Sequence, residues 1–363
     1  MALNFRFAVA SDLHIAVPHT ISEKTHSFHL VEVSIPALEL VLEHLSKLDI
    51  DFLLLPGDLT QDGEPENHTW LSQRLSALPY PVYVVPGNHD VPVKFANDYS
   101  IGLANFPSYY HHCGYDYQQR LYYSEQVLPG VRIIGLNSNQ FDTSGKQKYT
   151  GGLESEQLDW LQQVLSIAEE ELVIVMLHHN VIEHLPDQSH NSLGRRYMLE
   201  NRSVLLDILQ SAGVQLIFTG HLHVQDVAKD QGIYEITTGS LVSYPHPYRI
   251  IDFITNASGQ KSLKIESYRI NSLPNLPNLS DVSRSWIGDR SVYFMSKLLT
   301  SPPLNLSPEL AAKLAPSLRY FWADIAYGDA VLDFPHFPPE VRRYFQSFNT
   351  TNSIDNNAIL LLQ

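Results

Sequence analysis

The sequence predicts an α/β fold: a parallel sheet with helical crossovers, then a hairpin-rich half, then a helical extension. Two observations carry this. Between residues 4 and 90, strand patterns alternate with helical spacing as strand, helix, strand, helix, strand, the order that builds a parallel sheet. Between residues 224 and 268 the strand patterns are short and joined by turn residues, Asp230-Gln231-Gly232 and Asn256-Ala257-Ser258-Gly259, as in antiparallel hairpins. A third observation concerns chemistry: five predicted strands stop at polar tips rich in Asp, Asn and His.

Taken in order, Asn4 to Ala10 alternates as a short strand and stops at Ser11-Asp12-Leu13-His14; Asp12 and His14, two apart, share a side in extended chain. Val31 to Leu48 carries apolar residues at helical spacing. Ile50 to Pro56 is a continuous apolar run, as in a strand covered on both faces, and ends at Gly57-Asp58. Glu64 to Leu78 reads as a helix with Pro65 at its tolerant first turn. Pro81 to Val85 is a third strand and ends at Gly87-Asn88-His89-Asp90. Pro92 to Tyr123 is irregular and rich in aromatics, including Tyr110, Tyr115 and Tyr117, and is expected to wall the site or pack as a loop. Val131 to Asn137 is a strand, Phe141 to Gly152 a loop, and Leu153 to Glu169 a helix. Leu172 to Leu177 is a strand ending at His178-His179-Asn180; a helix is expected over Tyr197 to Ala212. Val214 to Thr219 is a strand ending at Gly220-His221-Leu222-His223. Strands follow at 224–229, 232–237, 248–254 and 262–268. The Pro- and Asn-rich segment after Ile270 marks a boundary between a main domain, 1–270, and a mainly helical extension, 271–363, with helices near 289–299, 307–318 and 339–348. The extension is expected to pack on the main domain or form a homodimer contact.

Composition bounds the function. The 363 residues are 44% hydrophobic and 17% charged, a globular profile. Lys plus Arg number 24 against 39 Asp plus Glu, a net charge of -15, which opposes an unassisted grip on nucleic acid. The lone Cys113 fits a reducing compartment. No apolar run approaches the ~20 residues of a membrane span, and the start MALNFRFAVA lacks the layout of a secretory signal. The expectation is a cytoplasmic protein without membrane association.

The five tips supply Asp12, His14, Asp58, Asn88, His178, His221 and His223, imidazoles and oxygens with no thiolate. Such donors suit Mn, Fe, Zn or Co. Seven are too many for one tetrahedral site and suit two ions sharing a carboxylate. Two metals ~3.5–4 Å apart clamp the attacking and leaving oxygens of an in-line displacement at phosphorus, and lower the pKa of a shared water toward ~7. Outside the tips, Arg195-Arg196 is a candidate phosphate clamp or a solvated helix start. Tyr244 to Arg249 either touches substrate through His246 or Arg249, or forms a rigid turn. Asp62 reads as a turn or capping residue, and His29 has no spacing that argues a role.

The order Asp-x-His, Gly-Asp, Gly-Asn-His-Asp, His-His, Gly-His-x-His resembles the calcineurin-like metallophosphoesterases, and among them the bacterial proteins related to class III cyclic-nucleotide phosphodiesterases. The likeness spans residues 4 to about 255. It implies a four-layer α/β/β/α sandwich of two mixed sheets. It implies Asp12, His14 and His223 on a first metal, Asn88, His178 and His221 on a second, Asp58 bridging them, and His89 serving the leaving oxygen. His179 then lines the pocket or orients a neighbour. The segment Gly57 to Gly63 departs from the Gly-Asp-x-x-Asp-Arg-Gly of protein phosphatases, with Asp62 one place late and no Arg, which argues against that activity. Asp90 also lacks the Arg that some cyclic-nucleotide enzymes place shortly after it. The implied function is hydrolysis of a small phosphodiester, of cyclic nucleotide or glycerophosphodiester type, by metal-bound hydroxide. A small-molecule phosphomonoesterase, a nuclease and a non-catalytic metal scaffold are the alternatives.

Overall fold

The computed structural model describes residues 3–21, 28–115, 120–168, 171–191, 194–350 and 354–363. The first half follows the predicted alternation: β1 (Asn4–Val9), α1 (Ser34–Leu45), β2 (Phe52–Leu55), α2 (Pro65–Ser76) and β3 (Val82–Val84). After a short α3 (Phe106–Tyr109) come β4 (Tyr123–Leu128), β5 (Val131–Gly135), α4 (Ser155–Ile167), β6 (Leu172–Met176), α5 (Arg202–Ser211) and β7 (Leu216–Thr219). The hairpin region is β8 (Asp226–Asp230), β9 (Ile233–Thr237), β10 (Pro247–Thr255) and β11 (Lys261–Arg269). The remainder is α6 (Leu279–Thr300), α7 (Pro308–Leu314), α8 (Phe321–Tyr327), α9 (Pro339–Gln346) and β12 (Asn357–Leu362).

Two six-stranded mixed sheets result, in the orders β12-β11-β10-β1-β2-β3 and β4-β5-β6-β7-β9-β8. In each, the parallel strands form the centre: β1-β2-β3 in the first sheet, β5-β6-β7-β9 in the second. The sheets face each other across one apolar core. Phe7 of β1 meets Phe218 of β7 edge-on at 5.5 Å, and Phe52 and Phe253 stack beside them. Alternation along β6 shows the layering: Ile174 and Met176 enter this central core, while Val173 and Val175 enter a second core under α4 and α5. Both faces are therefore buried, which is why the strand reads as an unbroken apolar run. On the far side of the first sheet, α1 contributes Leu38, Val41 and Leu45, a stripe at helical spacing.

Several elements differ from expectation for physical reasons. The buried face of α6 mixes Leu279, Ile287 and Met295 with Ser283, Gly288 and Ser291, so its apolar period is broken and half its length is hidden from a sequence reading. Gly288 is small because Tyr320 packs on it. The strand β12 pairs with β11 at Lys261↔Leu362, a partner just over a hundred residues upstream that no local pattern announces. The aromatic stretch after Pro92 packs as a loop: Phe106 and Tyr110 are buried against His68 of α2 and Tyr115 against Tyr123 of β4, and no described residue of 92–123 lines the main cavity. Tyr117, in the same stretch, and Glu169, the expected end of α4, lie outside the described residues. Segment 271–363 packs on the rest through a third core in which Phe321, Phe345 and Leu298 meet Leu222 and Val224.

Arg249 is fully buried. It donates to the Asp355 carbonyl (2.6 Å), the Ser267 hydroxyl (3.1 Å) and the Thr237 carbonyl (2.9 Å), tying the approach to β12 to both sheets. The turn before it, with a cis bond at Tyr244-Pro245, is structural, and His246 is buried against the Leu241 carbonyl. Arg249→Leu leaves these acceptors without a donor, and a loss of roughly 2–4 kcal/mol is expected in urea unfolding. An unchanged midpoint would show that the clamp contributes nothing.

Candidate metal centre

Five strands, β1, β2 and β3 from one sheet and β6 and β7 from the other, end at the same rim. Hydrogen bonding continues past the strands into the tips: Asp12 N–H donates to the Gly57 carbonyl (3.1 Å), His14 N–H to the Asp58 carbonyl (2.9 Å), and Gly220 N–H to the His178 carbonyl (3.2 Å). At the tips the backbone reverses sharply. Asp12 (φ 50°), His14 (43°), Asp58 (48°), His221 (66°) and His223 (60°) all adopt left-handed conformation. Asp and His tolerate that region better than most residues, but it is still uncommon; local strain of this kind clusters at functional sites. The glycines of the tips are required by close approach. A Cβ on Gly87 would lie 2.2 Å from Asp58 Oδ1, and one on Gly220 would lie 2.0 Å from Ser11 Oγ.

All seven predicted donors converge. Asp12, His14, Asp58 and His223 offer ligand atoms within 4.8 Å of one another, and so do Asp58, His178 and His221. Asp58 belongs to both groups. Its Oδ2 is 3.3 Å from His178 Nε2 and 3.9 Å from His14 Nε2. Asn88 Oδ1 is 3.2 Å from the same His178 nitrogen, which brings the amide to the second group. In the first group Asp12 Oδ1 lies 3.1 Å from His223 Nε2, and its carboxylate is held by Ser11 Oγ–H (2.6 Å) and His221 N–H (3.1 Å to Oδ2).

This arrangement fits cations. Both ring nitrogens of His14 are buried with no hydrogen-bond partner. Burial, then the neighbouring His29 and His89, hold that ring well below the usual histidine range, so it is neutral with a bare lone pair. The ring of His178 is fixed by Nδ1–H donating to the Pro56 carbonyl (2.8 Å), which turns a bare Nε2 toward Asp58 and Asn88 oxygens. Lone pairs on both sides need a positive charge between them. Burial opposes charging His178, yet Asp58 pushes its pKa up to about 9; a metal ion takes the place that this proton would hold.

Around the donors, Asp90 turns away from them and accepts from the backbone N–H of Gly87 (2.8 Å), Leu59 (3.1 Å) and Thr60 (2.8 Å), stapling two tips together. Gln147 donates to the Asn88 and Val91 carbonyls at 2.8 and 3.1 Å. His179 packs its ring on that of His221 (4.5 Å) and does not line the cavity. His89 does line it. Its N–H donates to Asp58 Oδ1 (2.7 Å), and its Nδ1 donates to the Gln61 carbonyl (2.6 Å), leaving Nε2 for the cavity. Burial lowers its pKa, but Asp58 and Asp62 outweigh that and raise it to about 9. Asp62 Oδ1 is 3.7 Å from His89 Nδ1, so this residue, read from sequence as a turn residue, stands beside the histidine. Arg196 lines the cavity and Arg195 does not. The sequence reading also missed His29. Its ring lies 4.0 Å from that of His14, tilted by 42°, and it forms a third compact group with His14 and His223. No motif marks it, because it arrives from a loop between β1 and α1.

Behind the second group lies a charged cluster. His184 Nδ1 is 2.6 Å from Asp226 and its Nε2 is 3.2 Å from Glu235. Glu235 also accepts from the N–H of Val181 (2.9 Å) and Ile182 (2.5 Å), from Thr219 Oγ1 (2.7 Å) and from Asn180 Nδ2 (3.1 Å), fixing the chain just past His178.

The profile of the calcineurin-like phosphoesterase family matches residues 5–225. A protein of Arcobacter nitrofigilis named as a probable glycerophosphodiester phosphodiesterase is 27% identical over 179 residues, 48% of this chain and 56% of that one. A 3′,5′-cyclic-nucleotide phosphodiesterase of Nostoc sp. is 27% identical over 187 residues, 50% of this chain and 60% of that one. The chain thus spans little more than half the length of these relatives. Among solved structures, a dimetal phosphatase from Danio rerio superposes with a TM-score of 0.55 at 17% identity, covering 73% of this chain and 96% of that one, a likeness of fold.

Two outcomes are expected. His29→Ala weakens one of two Mn(II) affinities about 10–100-fold in equilibrium dialysis, the usual cost of losing a supporting group; identical isotherms would make His29 a packing residue. The second concerns pH. Burial opposes charge on His184, but Glu235 and Asp226 push its pKa up to about 10. An unfolded histidine titrates near ~6.5, so this stabilisation is complete below ~6.5 and fades as pH rises toward about 10. Glu235, held below its usual range by His184 despite burial, loses its share on the acid side. The Tm of His184→Gln is therefore lower than that of the native chain near neutrality and flatter between pH 6.5 and 10; a parallel offset at every pH would refute the coupling.

Proposed function

The chain belongs to the calcineurin-like phosphoesterase family, and from that premise we propose that it is a dinuclear metal-dependent hydrolase of small phosphodiesters. The observation that carries this reading is the pair of donor groups sharing Asp58, with His89 beside them on a cavity of about 440 Å³. Asp12, His14 and His223 would hold one ion and Asn88, His178 and His221 the other, with Asp58 available to both groups. The nitrogen and oxygen donors suit Mn, Fe or Zn. When bound, the ions supply charge stabilisation at phosphoryl oxygens and an activated water.

The protein's own residues do the rest. His89 is anchored at Nδ1 by Gln61 and Asp62, so its Nε2 protonates or steadies the departing oxygen. Raising its pKa keeps it charged at neutral pH, the form that an acid needs. Asp90 and Gln147 hold the Gly87–Val91 tip in place without touching substrate. Arg196 at the rim offers paired donors to a phosphate oxygen. The net charge of -15 favours a small substrate over a nucleic-acid strand. The names borne by the relatives support glycerophosphodiesters and cyclic nucleotides as the classes to try.

The test is hydrolysis of bis-p-nitrophenyl phosphate against p-nitrophenyl phosphate, with Mn(II) returned to chelated protein. Faster diester turnover is expected. Asp58→Asn loses metal and activity together. His89→Ala keeps both metals and loses ~10²–10⁴ in rate. Full activity in His89→Ala would remove it from the mechanism, and preference for the monoester would overturn the diesterase reading.

A further inference from the structure

The cavity holding Asp58, Asn88 and His89 does not end at the donors. It continues beneath the segment after residue 271, where Phe294, Leu298, Phe321, Trp322, Tyr344 and Phe348 line it. All six lie beyond residue 225, where the match to the family ends. This apolar arm therefore lies outside the segment that the family profile matches. The charged lining residues are the metal-centre groups Asp58, His29, His89, His221 and His223, with Lys148 and Arg196. The cavity is polar where the donors converge and apolar where the helical segment covers it.

The two ends are mechanically one. In Gly220-His221-Leu222-His223, both histidines reach the donor groups, while Leu222 is 1% exposed and packs in the core built by α6, α7, α8 and α9. The helical segment thus grips the loop that presents two donors, and the donors and the arm line one cavity. At about 440 Å³ the cavity is within the ~300–1,000 Å³ of small-molecule sites. That exceeds what a phosphate group alone requires. Ser291, Gln188, Asn191 and the Tyr344 hydroxyl also line the cavity, but a sugar or nucleobase laid along Phe294, Leu298, Phe321, Trp322 and Phe348 would bring donors and acceptors that these side chains leave unpaired, at a cost in desolvation.

We propose that this arm is a specificity site for a phosphodiester one of whose ester groups is a bulky hydrocarbon, an alkyl or acyl chain, lying along Phe294, Trp322 and Phe348. The proposal rests on the phosphoesterase reading only for the position of the phosphate.

The experiment uses the full chain loaded with Mn(II) and two sets of probes below their micelle concentrations. The first is alkyl p-nitrophenyl phosphodiesters with methyl, butyl and octyl groups. The second is methyl-, butyl- and octylphosphonate, followed by calorimetry without turnover. A buried methylene is worth ~0.8 kcal/mol, so kcat/KM and phosphonate affinity are each expected to rise about threefold to fourfold per methylene until the arm is full. Phe294→Lys, which places a cation in a half-buried lining position, is expected to flatten both series. Chain-length-dependent binding without any hydrolysis would sink the hydrolase reading and support this one. Hydrolysis of the methyl ester with no dependence on chain length would do the reverse. A dependence that survives Phe294→Lys unchanged, or a tenfold preference for 3′,5′-cyclic AMP over the octyl ester, would overturn the proposal.

Discussion

The carboxylate of Asp58 is the constraint on which the rest of the site depends. It is 1% exposed and faces His178 and His14 through one oxygen while accepting the His89 N–H through the other. A buried carboxylate without compensation is expensive. Here the compensation must come from both sheets at once, because His14 and His89 follow strands of one sheet and His178 follows a strand of the other. Sheet-on-sheet packing through Phe7 and Phe218 therefore sets the width of the metal centre as directly as any ligand does. Left-handed backbone at five of the donors is the local consequence: each chain must reverse within five residues of its strand to aim at one point.

The same logic explains why so many polar groups around the centre are committed to contacts within the protein. Asp90 staples neighbouring tips, Glu235 and His184 fix the chain beyond His178, and Arg249 ties β12 to both sheets. Each has a buried side chain, and each spends its hydrogen bonds on backbone, on neutral polar side chains or on an opposite charge. Rigid placement follows from this, and it suits donors that must hold their geometry while charge moves at phosphorus. The helical segment joins the same framework through Leu222, so a change among α6 to α9 is felt at His221 and His223.

Much of this was legible in the chain. The strand runs and their polar tips were plain because a strand buried on both faces is a continuous apolar run, and a tip that carries chemistry interrupts it abruptly. The mixed sheets agree with the alternation and the hairpin turns. Elements whose partners are far away in sequence were not legible: β12, the first half of α6 with its buried serines, and α8. The aromatic stretch after Pro92 read equally as a wall of the site or a packed loop, and the structure has the packed loop; the choice was not legible because nothing local says which way Phe106 or Tyr110 faces.

The sequence by itself determined the candidate donors, their order and the kind of fold that gathers them, since residue type and spacing settle which atoms are available and on which strand ends. Only the tertiary structure decided what stands around them. His29 and Asp62 come to the centre from loops with no motif, Arg249 and His246 withdraw into packing, and Phe294 and Trp322 close over the cavity from a segment that begins some fifty residues after the last donor. The physical reason is that ligation chemistry resides in single side chains, whereas cavity shape and hydrogen-bond environment arise from contacts between segments far apart in the chain.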